Sequence, residues 1–361
     1  MFNFLISKLT LLQLLFLIIG IVFKNTGPLS LRVWYDRDGN NLPIEERTVY
    51  VFKAKGIRRM TVYDPVPPAL EALSGSNIEI IVGVPNLQLQ SLQTAAGART
   101  WVRDNIQNYM PGVRFRYIAV GNEVDPNNPD TSEYVGLVLP AMKNVHDAIV
   151  AAGLQNQIKV STATYLAVTS GSPPSQGSFK ENAKEFMEPI IRFLAQNNLP
   201  LLANIYPYLR HLGTPQGDPR YSQLTERDVV LKDPVDDRLY KNLFEALLDT
   251  LYSAVERSGG RNIEIVVSES GWPSSGDLDA SPQNAETHLR NLMKQDRTKG
   301  TPKRPGKPVE TYLFAMLREN LHGGSETERH LDLYLAKKEK ERKLGIKTPI
   351  KNPIFNSFFL L

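Results

Sequence analysis

The chain has 361 residues, of which 42% are hydrophobic and 22% charged, so it can bury one large core or two smaller ones and is neither disordered nor fibrous. It contains no cysteine and only five histidines, none with HExxH spacing. Disulfides, thiolate nucleophiles and Cys-ligated zinc are therefore excluded, and we expect no metal or other cofactor. The net charge of +4 is too mild to indicate nucleic-acid binding, which requires clustered Lys and Arg.

Residues 1–25 are predicted to be a signal peptide and are left out of the fold. Lys8 is followed by an apolar run at 9–23, which ends at Lys24. This run is too short for a comfortable membrane span but suits the core of a signal peptide. A retained signal anchor is the alternative. We therefore expect a secreted (cell-wall) or vacuolar protein with no membrane association once the leader is removed.

After the leader, short apolar runs alternate with stretches of helical period. Strand candidates lie at 31–35, 58–63, 78–84, 115–120, 158–161, 199–206, 263–268 and 310–317. A helix candidate follows each of the first seven, as at 98–109 and 239–257. Eight such units predict a single-domain α/β fold of the (β/α)8 (TIM) barrel type rather than an open doubly wound sheet. No GxGxxG or GxxxxGK[ST] motif follows the first strand, which disfavours nucleotide binding.

Two predicted strands each deliver a carboxylate at their ends. Glu269 follows the apolar run at 263–267 and precedes Ser-Gly-Trp-Pro, whereas Glu123 follows 115–120 and is preceded by Asn122. In a parallel barrel these strand ends share one face, where active sites are built. Paired carboxyl groups cleave glycosidic bonds, and an adjacent Trp suits the stacking of sugar faces. The alternative for either motif alone is a strand end with a solvated Glu and a turn.

Other polar and aromatic residues also follow strand ends and are expected on the same face. They are Tyr63, Asp64, Asn86, Tyr206, Tyr208, Trp272, Glu319 and Asn320. Two loops rich in Gly, Pro, Ser and Asp, at 169–179 and 210–237, are longer than a crossover requires. Because the strand–helix alternation continues through the first, we interpret it as a rim loop and not as an interdomain linker.

Seven blocks of the sequence resemble the plant endo-1,3-β-glucanases of glycoside hydrolase family 17. They are GNNLP (39–43), YDP (63–65), GSNIE (75–79), RFRYIAVGNEV (114–124), LLANIYPY (201–208), VVSESGWPS (266–274) and ETYLFAM (310–316). The resemblance covers about 29–332. It implies a (β/α)8 barrel with a groove across its top, hydrolysis of internal 1,3-β-glucosidic bonds with retention, and β-1,3-glucan as the binding partner of a monomer.

The resemblance also implies roles for individual residues. Glu123 is expected to be the general acid/base and Glu269 the nucleophile, because a retaining hydrolase needs one protonated and one ionised carboxyl group. The substrate-binding residues are expected to be Tyr63, Asn122, Tyr206, Tyr208, Trp272, Glu310 and Glu319. Trp272 and Tyr208 would offer stacking faces. The alternatives are barrel packing for Tyr63 and Tyr206, and solvated charges for Glu310 and Glu319.

The sequence departs from the family pattern at both ends. Arg32, Trp34 and Asp36 stand where the family has Gly, Cys and Gly, and a large Trp34 risks overpacking the barrel. The catalytic domain is predicted to span 26–335, and a divergent charged tail to span 336–361. The leading function is an endo-1,3-β-glucanase of plant or fungal walls with a role in defence. The alternatives are a catalytically impaired glucan-binding protein on the same barrel and an unrelated cytosolic α/β enzyme.

Overall fold

Eight parallel strands form a closed barrel in the computed structural model, which describes residues 31–35, 45–54, 56–213, 219–298, 300–314 and 330–331. In chain order the strands are β1 (Leu31–Tyr35), β2 (Ile57–Val62), β3 (Glu79–Val84), β4 (Arg114–Asn122), β5 (Lys159–Tyr165), β6 (Leu201–Asn204), β7 (Ile265–Ser270) and β8 (Thr311–Leu313). The last strand pairs with the first, with Val33 opposite Leu313. The predicted single-domain (β/α)8 barrel is confirmed.

A helix follows each of the first seven strands, as predicted. These helices are α1 (Glu45–Ala54), α2 (Pro67–Leu73), α3 (Ala95–Asn105), α4 (Val135–Ala151), α5 (Glu181–Gln196), α6 (Leu243–Arg257) and α7 (Pro282–Thr298). Helix α6 begins later than the predicted 239, because the side chain of Asn242 caps it by accepting from the backbone N–H of Glu245. Leu239–Tyr240 instead pairs with Leu231–Lys232 in a hairpin.

Shorter elements stand on the rim of the barrel. A second hairpin pairs Thr169–Ser170 with Ser178–Phe179, and short helices occupy Pro207–Leu212 and Pro219–Ser222. The predicted rim loop at 169–179 is therefore confirmed. Within the described ranges, no helix is long and apolar enough to cross a membrane.

Two apolar clusters build the barrel itself in the described part of the chain. The larger cluster lies between the strands and the surrounding helices. The smaller cluster takes one buried side chain from each of six strands, namely Ile81, Tyr117, Ala163, Leu202, Val266 and Tyr312. This second cluster fills the barrel interior, as expected for a barrel of eight strands. The barrel is thus a packed support for its two ends and not a pore.

A charged network closes the amino-terminal end of the barrel, and we call it the floor network. It consists of Arg59, Glu79, Arg116 and Glu310. Both guanidinium groups contact both carboxylates, with Arg59 Nε 2.7 Å from Glu79 Oε2 and Arg116 Nη2 3.0 Å from Glu310 Oε2. The hydroxyl of Tyr312 donates to Glu310 Oε1 at 2.9 Å.

Glu310 remains ionised in this network. Burial acts to raise its pKa, but the charges of Arg116 and Arg59, the hydrogen bond from Arg116 and the charge of Arg32 outweigh burial and hold the pKa below its ordinary value. Arg32 replaces a family glycine, so one departure in the first strand brings a positive charge to a buried carboxylate. The side chains of Trp34 and Asp36 lie outside the described residues, and overpacking at Trp34 stays a prediction.

Candidate active site

A groove opens at the carboxyl ends of the barrel strands. Its cavity volume is about 1250 Å³, and residues from the loops after β2, β4, β5, β6 and β7 line it. Six of the predicted site residues border it, namely Tyr63, Asn122, Glu123, Tyr206, Tyr208 and Glu269. Active sites of this fold lie at this end of the barrel. The predicted carboxylate pair therefore meets across one groove.

The end of β4 is bent so that Asn122 and Glu123 reach the groove. Between Ala119 and Asn122 the register against β5 slips by one residue, so that Asn122 lies opposite Ala163. Gly121 and Glu123 both have positive φ, 75° and 50°, and a non-glycine residue in this region is uncommon. A bulge with left-handed residues is a frequent device for re-aiming side chains next to active sites.

The side chain of Asn86 holds this bent segment in place. Its amide nitrogen donates to the backbone carbonyl of Asn122 at 2.9 Å, and its Oδ1 accepts from the backbone N–H of Asn122 at 2.9 Å. The backbone N–H of Glu123 donates to the carbonyl of Ala163 at 2.9 Å. The backbone that carries the predicted acid/base is therefore tied to the loop after β3 and to strand β5.

A second one-residue slip aims Glu269 into the barrel mouth. Ile265 and Val267 face the helix layer, whereas Val266 faces the interior, and strict alternation would turn Glu269 toward the helices. The slip between Val267 and Glu269 places Glu269 opposite Asn204 instead. Glu269 is only 6% exposed. Its orientation therefore depends on the bulge.

Different polar partners hold the two carboxylates. Asn204 Nδ2 donates to Glu123 Oε1 at 2.7 Å, and the hydroxyl of Tyr206 donates to Glu269 Oε2 at 2.9 Å. The hydroxyl of Ser268 donates to Asn204 Oδ1 at 2.8 Å. Hydrogen bonds to a carboxylate favour its ionised form. Each carboxylate is therefore oriented by a hydrogen-bond donor of its own.

An aromatic cluster forms one wall of the groove. Phe314, just after β8, packs with Tyr63, Tyr206 and Leu331, and its ring meets that of Tyr206 edge-on with centroids 6.3 Å apart. The approach requires glycine at 271, because a Cβ there would lie 2.5 Å from the carbonyl oxygen of Phe314. Tyr63 and Tyr206 thus line the groove, and both pack against Phe314.

The predicted stacking role of Trp272 is wrong. Its indole is 1% exposed, packs against the rings of Tyr208, His211 and His288, and donates from Nε1 to the carbonyl of Asp279 at 3.0 Å. Tyr208 is 2% exposed and donates its hydroxyl to the carbonyl of Leu278 at 2.9 Å. Both side chains hydrogen-bond to the loop after β7, and although Tyr208 borders the groove, neither ring is exposed enough to offer a face to a sugar.

The predicted substrate contact of Glu310 is also wrong. This residue directly precedes β8 and belongs to the floor network, so the packed barrel interior separates it from the groove. Glu319 lies outside the described residues, and its role stays a prediction. Among the described residues, no group of three or more His, Asp or Glu side chains is placed to hold a metal ion.

The sequence interpretation assigned no role to Asn204, Ser268 or Phe314. Asn204 and Tyr206 alternate in an otherwise apolar strand, and period two puts them on one face. Asn204 could have been predicted because it is polar and stands two positions before Tyr206, a predicted site residue. Ser268 and Phe314 carry no comparable signal, because one adjoins a bulge and the other resembles a core residue.

Comparisons with known proteins agree with this architecture. The model of the family "Glycosyl hydrolases family 17" matches residues 31–346. A solved structure, CJP38, a beta-1,3-glucanase and pollen allergen of Cryptomeria japonica, is 40% identical with a TM-score of 0.82, and the match covers 85% of this chain and 96% of that one.

Two curated relatives are similar over nearly their whole length. A glucan endo-1,3-beta-glucosidase of Vitis vinifera is 49% identical over 91% of this chain and 96% of its own. The basic vacuolar isoform of the same enzyme from Nicotiana tabacum is 44% identical over 94% of this chain and 90% of its own. With the family model matched across the whole barrel, the chain belongs to glycosyl hydrolases family 17.

Proposed function

We propose that this protein is a retaining endo-hydrolase of internal 1,3-β-glucosidic linkages, with Glu123 as general acid/base and Glu269 as nucleophile. One observation carries the proposal. Two carboxylates from β4 and β7 border the same groove, and each is held by its own hydrogen-bond donor. The relatives supply the linkage, since they are named glucan endo-1,3-beta-glucosidases.

The chemistry requires two carboxyl groups in different protonation states. In the first step Glu269 attacks the anomeric carbon, the bond to the leaving oxygen breaks, and Glu123 gives its proton to that oxygen. In the second step Glu123 takes a proton from water, whose oxygen displaces Glu269 from the sugar. Retention requires the carboxyl groups to be about 5–5.5 Å apart, so that no water fits between Glu269 and the sugar.

The dimensions of the groove support cleavage inside a polymer. Its volume of about 1250 Å³ exceeds the ~300–1,000 Å³ that is typical of pockets for small ligands. It extends from Tyr63 past the carboxylates to the 169–179 rim loop and the start of α6. A groove of this volume suits several consecutive glucosyl units, and we propose wall β-1,3-glucans, such as callose or fungal glucan, as the substrate of a monomeric enzyme with a role in defence.

The test measures reducing ends released from a soluble β-1,3-glucan by the purified protein and two variants. Glu269→Ala should abolish release while the far-UV circular dichroism stays unchanged. The matched control is Glu264→Ala, because Glu264 is exposed just before the same strand, at its opposite end. Added azide should restore turnover of an aryl β-glucoside in Glu269→Ala and give an α-glycosyl azide, since the small anion replaces the missing carboxylate.

Three outcomes would contradict the proposal. A β-azide product, or wild-type turnover in Glu269→Ala, would remove Glu269 as nucleophile. A wild-type protein that binds β-1,3-glucan but releases no reducing ends would be a catalytically impaired glucan-binding protein on the same barrel.

We further propose that the protein is secreted or vacuolar and that residues 1–25 are removed. The leader pattern supports this, as does the relative whose name places it in the vacuole. Sequencing the amino terminus of the mature protein tests it. The boundary at 335 and the separate tail also remain proposals, and a protein lacking 337–361 should melt within a few degrees of the full chain if the tail has few buried contacts.

A further inference from the structure

We propose that Asn204 is a positioning residue that fixes which oxygen of Glu123 carries the transferable proton and which way the amide of Asn122 faces. The proposal rests on the proposed function, since it concerns the acid/base of that reaction. It assigns a specific task to a residue that was not among the predicted site residues.

The amide nitrogen of Asn204 donates two hydrogen bonds, one to Glu123 and one to Asn122, and we call this pair of hydrogen bonds the fork. Its Nδ2 donates to Glu123 Oε1 at 2.7 Å and to Asn122 Oδ1 at 3.1 Å. Its Oδ1 accepts from the hydroxyl of Ser268 at 2.8 Å. The residue is 2% exposed at the end of β6. An amide nitrogen has two hydrogens, and both point at the catalytic strand end.

The acceptors determine the orientation of this amide. A flip would bring Asn204 Oδ1 against two oxygens, those of Glu123 and Asn122, and leave the buried nitrogen with the Ser268 hydroxyl alone. The hydroxyl of Ser268 can donate or accept, so it tolerates either orientation and imposes neither. The observed orientation is therefore the one that makes all three hydrogen bonds, and unmade buried bonds are costly.

The position of the acid proton follows from this geometry. Because Oε1 of Glu123 accepts from Asn204, its lone pair faces that amide, and the proton of the neutral acid resides on Oε2. Proton donation then breaks the Oε2–H bond, forms an O–H bond on the departing glucosidic oxygen, and leaves a carboxylate whose Oε1 still accepts from Asn204. The same fork holds Asn122 Oδ1, so the amide nitrogen of Asn122 is turned away from Asn204, toward the groove that Asn122 borders.

Removing the fork should have a measurable effect on the acid/base. The Asn204 hydrogen bond favours ionised Glu123, so its loss should raise the pKa of Glu123, as expected when a donor to a charged group is removed. Asn204→Asp, which is isosteric, should raise it further, because a carboxylate would stand beside Glu123. Asn204→Ala should also lower kcat on glucan roughly 10–100-fold, with a smaller loss on activated aryl glucosides.

The experiment combines a titration with kinetics on the full protein. The Glu123 carboxyl carbon is titrated by NMR in 13C-Glu-labelled wild type, Asn204→Ala and Asn204→Asp, with Glu123→Gln to assign the signal. The alkaline limb of kcat/KM is measured on the same samples. The control is Asn144→Ala, which removes an amide donor to the carbonyl of Leu92 on the helical side of the barrel.

The two proposals fail in different ways. A Glu123 titration that is unchanged in folded Asn204→Ala would overturn the role of Asn204, whatever the activity. A wild type without glucanase activity would overturn the proposed function, while the NMR titration would still decide the hydrogen-bond role. A shift as large in Asn144→Ala as in Asn204→Ala would also overturn the positioning role.

Discussion

Tyr206 and Glu269 are joined by a hydrogen bond of 2.9 Å between the phenol oxygen and Oε2 of the carboxylate. Tyr206 lies two residues beyond the end of β6, Glu269 lies in β7, and these strands are neighbours in the barrel. The bond therefore crosses from one strand end to the next. It orients a carboxylate whose backbone is already set by a bulge.

Replacing Tyr206 with Phe removes this donor and little else. Loss of a hydrogen bond to a charged group costs about 1.5–3 kcal/mol, so kcat/KM should fall roughly 10–100-fold. The acidic limb of the pH profile should move to higher pH, because the ionised nucleophile loses a donor and its pKa rises. The control is Tyr50→Phe on α1, whose side chain is exposed. An acidic limb that stays in place would mean that Tyr206 does not act on Glu269.

Glu123→Ala should separate substrates by their leaving groups. Natural glucan needs protonation of the departing oxygen, whereas an activated aryl glucoside departs without help, so only the former needs an acid. We expect a loss of about 10²–10⁴-fold on glucan and a much smaller loss of the first step on the aryl substrate. Equal losses in pre-steady-state measurements of both substrates would count against the acid role.

Trp272→Ala should lower stability and leave KM nearly unchanged, because the indole packs in the core. Removal of a buried Trp costs about 3–5 kcal/mol, measurable by urea unfolding. The matched variant is Trp101→Ala on α3, which is also buried and far from the groove. If KM for glucan rose in Trp272→Ala but not in Trp101→Ala, the indole would contact sugar after all.

The floor network gives a pH-dependent prediction. Glu310→Gln should cost up to about 3–5 kcal/mol at pH 7, because it removes one of the two carboxylates that pair with Arg59 and Arg116 and leaves both half-buried guanidinium groups with Glu79 alone. The pKa of Glu310 is lowered in the folded state, so its contribution is present above the ordinary pKa of a Glu and is lost as pH falls through the folded value. The difference between the free energies of unfolding of Glu310→Gln and wild type should therefore become smaller below about pH 4. Glu181→Gln, in an exposed pair with Lys184, should cost at most about 1 kcal/mol.

His288 should make the stability of the fold depend on pH in a second, less acidic range. Burial lowers its pKa to about 4, whereas an unfolded His titrates near ~6.5. Between these values the unfolded chain binds more protons, so stability should fall as pH decreases from about 6.5 to 4, by up to about 3 kcal/mol. His288→Phe should flatten this part of the urea-midpoint profile. An unchanged slope would show that His288 does not cause it.

The barrel was predictable because its signals are local. Each buried parallel strand is a short apolar run, and all eight were placed within a few residues of their observed positions. Glu123, Glu269, Asn122 and Tyr206 were predictable as groove residues for the same reason, since they follow strand ends and a parallel barrel collects those ends on one face.

The misplaced residues were those whose position depends on side-chain direction, as for Trp272, or on where a strand begins, as for Glu310. Trp272 follows a strand end as Tyr206 does, but its ring turns behind the loop toward His288. Glu310 was read as part of a strand that reached the groove, whereas it stands at the opposite end of that strand. The bulges before Asn122 and Glu269 leave no mark in the hydrophobic pattern, so alternation alone would have turned these side chains the wrong way.

The floor network joins the start of the last strand, β8, to β2, β3 and β4, which are synthesised much earlier. Glu310 contacts Arg116 and Arg59, and β8 supplies the only described partner of β1 other than β2. During synthesis the barrel therefore cannot close, and the two arginines cannot bind this carboxylate, until at least residue 313 has left the ribosome. Until then β1 and β7 present open edges, which are the places where strands of another chain can add. A nascent chain of this protein therefore stays open to edge-to-edge aggregation until its last strand emerges.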